Sequence, residues 1–397
     1  MNKINPALIA LFYIFCAMPA RGADAGKPEP GGSQSSQIQR TLSEMEAAFG
    51  GVIPWLGGLY DPASGGFFES LSLKRNLEEE SYGPDIQSTH MAITMIRDAG
   101  KLDRLPASIK AGFVKYFQSR QDAETGFFSD PDYPGMKNDR RTMGRALSFS
   151  TGTLRMFNAK PLYPLPGKTA ASVPDHLASP EAFSAWLDQR PWHHAWTALD
   201  NLQSQAELIL MQEPGLRDAL IDAALRNVTA RQDAEIGLIG GGDELVRLSG
   251  AFKLALFCKA VKRPLPGADA LRNRALAWFH KNQGTDRIFY IRNVVDLLND
   301  TIRETQKEIS PGELNMVLKA ALAELGRYRR KDGGFSSFPD KYYICPNDLY
   351  LKERRTSRAG PQGDVNGTKM AWGLRGTLYK MAGAKAPKMD APLNLGK

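Results

Sequence analysis

Apolar residues recur along this chain in two alternating helical patterns. In SPGELNMVLKAALAELGRY, residues 310–328, the residues Leu314, Val317, Leu318, Ala321, Leu322 and Leu325 fall at i, i+3, i+4, i+7, i+8 and i+11. That spacing places them on one face of a helix, and Ser310, Pro311 and Glu313 ahead of it form a start signal. Leu245 to Val261, by contrast, is apolar nearly all round, as a helix buried on both sides must be. Patterns of these two kinds predict about twelve helices. Amphipathic ones lie near 36–48, 106–119, 180–189, 215–230, 267–283 and 311–328. Less cleanly amphipathic ones lie near 86–99, 139–157, 193–211, 243–261, 287–303 and 364–381.

Two polar signals punctuate these runs. RQDAETGFF (120–128) returns as RQDAEIGLI (231–239), with related turns in YDPASGGFFES (60–70) and RRKDGGFSSF (329–338). An Asp-led polar segment, a glycine able to take positive φ and an apolar residue folding back on the core make a compact turn. Out of phase with it, MIRDAGKLDRLP, RMFNAKPLYPLP, LFCKAVKRPLP and LYKMAGAKAP each close an apolar run through Ala or Val, then Lys, then Pro. A cation in the last turn suits the helix dipole and Pro stops the helix. The chain therefore alternates turn, helix, Lys/Pro stop, helix, turn.

Six hairpins of an amphipathic outer and a buried inner helix, at a period of roughly 50 residues, predict an all-α fold: an (α/α)6 toroid, with room for a seventh hairpin. The QD…G and DGGF turns resemble those of α/α-toroid proteins, which include terpene cyclases, prenyltransferase subunits and many glycan-degrading enzymes. The resemblance covers almost the whole chain after its leader and implies the fold rather than one activity. The repeated turn itself reads as structural.

The first 23 residues have the basic start, apolar middle and small-residue end of a secretory signal peptide. Residues 24–37 are rich in Gly, Ser and Pro and read as a flexible linker, leaving 38–397 as a single toroid domain. A secreted or periplasmic location follows, with no stable membrane insertion. After the leader only Cys258 and Cys345 remain, too few for a disulfide framework or a four-thiolate metal site. The formal charge of +8 becomes +6 when Lys3 and Arg21 leave with the leader. In an exported protein that charge points away from nucleic acid and toward an acidic polysaccharide partner.

Candidate chemistry collects at the predicted inner-helix starts, whose unsatisfied N–H groups suit anions. In PWHHAWTALDN, His194 and Asn201 are seven residues apart and share a face, with His193, Trp192 and Trp196 beside them. In DRIFYIRN, Arg287 and Tyr290 align, while Arg292 is rotated away. There is no Asp-Asp pair, which removes the aspartate-rich motifs of many terpene cyclases, and no His-Glu-x-x-His or Gly-x-Ser-x-Gly motif. No metal and no cofactor is expected.

These residue types suit β-elimination of a uronate glycan, which needs a neutralised carboxylate, a base and an acid. They resemble those of α/α-toroid polysaccharide lyases acting on alginate, glucuronan or glycosaminoglycans. On that reading Tyr290 is base and acid, and His194, Asn201 and Arg287 hold the uronate carboxylate. His90, Arg141, His193, Arg292, Trp192, Trp372 and Lys369 bind substrate. Two alternatives stay open: a glycoside hydrolase using paired carboxylates among Asp85, Asp243, Glu244 and Asp364, and a non-catalytic glycan-binding envelope protein.

Overall fold

The computed structural model describes residues 34–78, 82–166, 173–281, 284–340 and 361–395. The expected signal peptide lies outside the described residues, as does Cys345. Residues 24–33 of the expected linker also lie outside the described residues, and its last four residues belong to the first helix, which begins at Gln34.

Among the described residues the helices are α1 (Gln34–Ala47), α2 (Val52–Leu59), α3 (Leu71–Lys74), α4 (Ile86–Asp98), α5 (Ala107–Gln118), α6 (Arg140–Met156), α7 (Pro180–Asp188), α8 (Ala195–Gln203), α9 (Ala206–Leu210), α10 (Pro214–Thr229), α11 (Glu244–Val261), α12 (Ala268–His280), α13 (Ile288–Thr305), α14 (Pro311–Tyr328) and α15 (Val365–Met381). An inner ring forms from α4, α6, the α8–α9 pair, α11, α13 and α15. Each packs on the next, and α15 packs back on α4. Outside it, α5 lies against α6, α10 against α9 and α12 against α13; α14 touches both α12 and α1. The protein is an all-α toroid of inner and outer helices, and among the described residues the ring closes with six inner elements.

The helix predicted over 193–211 is broken. At the break α6 comes so close that a Cβ on Gly144 would lie 2.2 Å from the Ser204 carbonyl oxygen. Gln205 fills the join: its amide reaches the Arg140 carbonyl (3.3 Å), and its Oε1 meets His176 Nε2 at 2.9 Å.

The repeated turns are staples between hairpins. Gln121 and Phe128 bridge, as do Gln232 and Ile239. Asp122 Oδ1 accepts from the N–H of Glu124 and Thr125, and Asp233 Oδ1 from those of Glu235 and Ile236. The glutamine then reaches outward. Gln121 Nε2 donates to the Gly126 and Tyr163 carbonyls at 3.1 and 2.9 Å. Gln232 Nε2 donates to those of Gly237 and Pro266 at 2.8 and 3.0 Å. Each turn is thus tied to the Lys/Pro segment that leads into the next outer helix. Gly126 sits at φ +72°, and a Cβ there would fall 2.1 Å from the Pro164 carbonyl oxygen.

The seam between the first and last hairpins is closed by backbone and by carboxyl groups. Val365 N donates to the Glu69 carbonyl at 2.9 Å, and Asn366 N to Glu69 Oε1 at 3.2 Å. Ser88 Oγ lies 2.5 Å from both Glu69 Oε2 and Asp85 Oδ2. A hydroxyl has one proton to donate, so one of these two buried carboxyls holds a proton and donates it to Ser88. Burial pushes Asp85 up to about 7. Burial, then the charges of Asp364 and Asp85, push Glu69 well above the ordinary range.

Candidate functional site

Four of the six described inner-helix starts, where the sequence points, are already occupied by the protein's own carboxylates, while α8 and α13 start at His194 and Arg287. Asp85, Asp139, Asp243 and Asp364 cap α4, α6, α11 and α15, each accepting from a backbone N–H of the first turn. Such caps satisfy the orphan donors and offset the positive end of the dipole. This also removes Asp85, Asp243 and Asp364 as paired hydrolytic carboxylates, while Glu244 is held by Arg274 and Lys281 at 2.6 and 2.5 Å.

The concave site lies deeper, inside the ring. A cavity of about 270 Å3 is lined by side chains of all six inner elements. Its lining residues that reach solvent most freely, Leu210 (39% exposed) and Ala260, lie at the ends of α9 and α11. Toward the helix starts an aromatic plug narrows it. Trp196 stacks on Phe289 with centroids 5.3 Å apart and planes at 13°, and Phe289 meets Tyr290 at 4.6 Å.

The chemistry of the wall centres on Asp200. This carboxylate is fully buried and faces three cations: Lys253 Nζ at 2.7 Å, Arg145 Nη1 at 3.4 Å and Arg141 Nη1 at 3.5 Å. A buried charge requires partners, and here the partners outnumber it. Lys253, Arg145 and Arg141 hold Asp200 well below the usual carboxylate range against the opposing effect of burial. Three positive charges on one negative leave an uncompensated positive region on the wall. Aromatic faces adjoin it: Lys253 Nζ sits 5.8 Å from the Trp196 ring centroid, and the Arg145 guanidinium 5.5 Å from that of Phe149. Attraction of cations to ring faces helps keep these heads inside the lumen.

Further along, Arg292 pairs with Asp296 at 2.5 Å and lies over Phe252. Lys369 Nζ stands 3.7 Å from Asp98. His90 stacks on Phe149 at 4.7 Å, and its Nδ1 meets Thr153 Oγ1 at 2.8 Å. Burial, then the charges of Lys369 and Arg97, push His90 down to about 3, so the imidazole is neutral at any ordinary pH. A second cavity of about 380 Å3, toward the ends of α4, α13 and α15, shares Leu256, Arg292 and Lys369 with the first. Those three residues stand between the two spaces and line both.

The residues picked from the sequence divide accordingly. His90, Arg292 and Lys369 line the lumen, and Arg141 stands behind it on Asp200. Trp372 packs against Phe49 and Arg375 and lines the second cavity. The others sit at the helix-start end. Tyr290 is 8% exposed in a small cluster with Ala195, Val246 and Phe289. His194 caps α8 through Nδ1, 2.9 Å from Thr197 Oγ1, and burial lowers its pKa. Asn201 Nδ2 donates to the Thr197 carbonyl one turn back, at 2.8 Å. Arg287 precedes α13 and lies over Phe289 and Phe338. His193 is exposed, and Trp192 donates to the Leu187 carbonyl beneath the Arg231 guanidinium.

Sequence reasoning missed Asp200 and Lys253. Lys253 stands inside the apolar stretch GAFKLALFCKAV, and Asp200 directly precedes Asn201. A lone charge in an apolar helix that needs a buried partner was the available signal.

No family model matches this chain, and no curated protein does. Solved structures that match include those of MstE, a type II terpene cyclase from Scytonema. A variant bound to its product, merosterolic acid A, is 17% identical over 88% of this chain and 98% of that one, with a TM-score of 0.43. The apo enzyme is 16% identical over 88% and 99%, with a TM-score of 0.41. These matches are terpene cyclases and not polysaccharide lyases, so the expected lyase and its acidic polysaccharide partner are set aside. The hydrolase and the glycan-binding protein go with them. The local structure supplies a physical reason: of the residues assigned to the glycan, Tyr290 is buried beside Phe289, and His194 Nδ1 and Asn201 Nδ2 are turned to Thr197. A likeness this distant assigns no activity.

Proposed function

We propose that this protein is an enzyme that takes a small, anion-headed organic molecule with an apolar body into the lumen of its toroid. The observation that carries the reading is the Asp200 wall, where Arg141, Arg145 and Lys253 converge on one carboxylate beside Trp196, Phe149 and Phe289. A ligand carboxylate or phosphate would supply the missing negative charge, and its hydrocarbon would lie on the rings. An enclosed space with a few convergent polar groups on an apolar wall is how small-molecule sites are generally built. The acid product named for the matched cyclase belongs to this chemical class. An exported location, expected from the leader, is part of the same proposal.

The test is calorimetric titration with matched pairs: a C15 isoprenoid carboxylate and its alcohol, and a saturated fatty acid and its alcohol. The acids should bind at least about tenfold tighter, a difference of about 1.4 kcal/mol. Lys253→Met should erase most of that preference. Equal affinity for acid and alcohol, or no binding by any of the four, would overturn the reading.

A further inference from the structure

The lumen holds two lysines, and their surroundings differ. Lys253 is engaged by Asp200 at 2.7 Å, within hydrogen-bond distance. Lys369 is not held in that way: its nearest carboxylate oxygen, Asp98 Oδ2, is 3.7 Å away. The other oxygen of Asp98 is taken by Arg97, whose Nε and Nη2 donate to it at 2.9 and 2.6 Å. Lys369 also lines both cavities, so a ligand in either one lies beside its side chain.

From this placement we propose that Lys369 is the reactive amine of the lumen, and that the site captures an aldehyde or ketone as an imine on Lys369 Nζ. The inference rests on the reading of the lumen as a small-molecule site and narrows its ligand to a carbonyl compound. The amine nitrogen adds to the carbonyl carbon while a proton passes from nitrogen to the carbonyl oxygen, giving a carbinolamine. Loss of that oxygen as water, with the second N–H proton, leaves the C=N bond. No oxidant or reductant is consumed.

The electrostatics around Lys369 agree. Burial first, then the charges of Arg292 and Arg97, push Lys369 down to about 8, while Asp98 opposes them. Lysines desolvated beside other cations are activated as nucleophiles in this way. At pH 8 about half of such an amine is neutral, on the order of 100-fold more than for a lysine in water. The charged groups around it are His90, Arg97 and Asp98 on α4, Lys253 and Lys259 on α11, Arg292, Asp296 and Asp300 on α13, and Arg375 and Lys380 on α15. His90, held neutral, adds no charge that would change between pH 6 and 9.

The experiment uses the full protein, decanal as probe and cyanoborohydride to reduce any imine, with adducts mapped by mass spectrometry from pH 6 to 9.5. One adduct per chain is expected, at Lys369 ahead of the other lysines, with yield rising through a midpoint near pH 8. Decanoate should compete with it. Lys369→Arg should lose the adduct yet still bind decanoate by calorimetry. Labelling spread over lysines without preference for Lys369, or a yield still rising steeply above pH 9, overturns the proposal; wild-type mapping alone decides this if the variant does not fold. If Lys369 is trapped selectively while no carboxylate binds, the imine proposal stands and the anion reading fails. If carboxylates bind and Lys369 is not trapped, the reverse holds.

Discussion

Glu69→Gln should make the protein more stable above pH 7. Ser88 Oγ cannot donate to both Glu69 and Asp85, which each lie 2.5 Å from it, so the folded seam keeps a proton that the unfolded chain releases near pH 4. A carboxyl whose folded pKa is raised contributes stability that is full below its unfolded pKa and is lost as pH climbs to its folded value. Asp85 moves from 3.8 to about 7, and Glu69 moves in the same direction. Three units correspond to about 4 kcal/mol, lost progressively between about pH 4 and pH 7. In Glu69→Gln the amide donates permanently to Ser88, whose own proton then goes to Asp85, and the glutamine oxygen still accepts from Asn366 N. The extra proton between Glu69 and Asp85 at Ser88 is then no longer needed. Thermal unfolding should therefore show the wild-type midpoint falling more steeply from pH 5 to 8 than that of the variant, in which Asp85 and Asp130 still titrate. The two should separate at pH 8 by up to about 8 °C, taking roughly 2 °C per kcal/mol for a domain of this size. A variant whose midpoint tracks the wild type across that range, or lies below it at pH 8, would refute the hydrogen count.

Asp200→Asn removes the one negative charge among three buried cations and should cost about 3–5 kcal/mol, read as a lower urea midpoint. Gly126→Ala places a methyl against the Pro164 carbonyl at positive φ and should destabilise by several kcal/mol, roughly the sum of strain and clash; Gly135→Ala, with open space around it, should stay within about 0.5 kcal/mol of wild type. The Cys258 thiol, buried and pushed up to about 12, should resist iodoacetamide in the native protein at pH 8 and alkylate in urea, as peptide mapping would report.

The fold was legible because it rests on repetition. Two helix patterns and two kinds of stop are written many times over, and every predicted helix is present within a few residues of its expected bounds. The exception, the break at Ser204, depends on how closely Gly144 of another helix approaches, which no local pattern encodes. The site was less legible. Asp85, Asp243 and Asp364 look the same in the sequence whether they cap a helix or face a substrate. His194 and Asn201 do share a face, yet His194 Nδ1 and Asn201 Nδ2 are both turned to Thr197. Which end of a ring of helices is open depends on side chains from six segments at once, and the Trp196–Phe289 stack joins residues 93 positions apart.

The seam sets an order of assembly. Glu69 and Asn366 meet across 297 positions of chain, and Gly51 lies against Gly333 so closely that a Cβ on Gly51 would stand 2.8 Å from the other's Cα. During synthesis the first hairpin emerges long before the last, and until then the flank of α4 that α15 will cover stays open. Contacts of such long sequence separation form late and slowly, and exposed apolar flanks invite association with other chains in the interval. A nascent chain holding five hairpins is therefore an open arc, and its last large gain in stability arrives only when the sixth closes the gap.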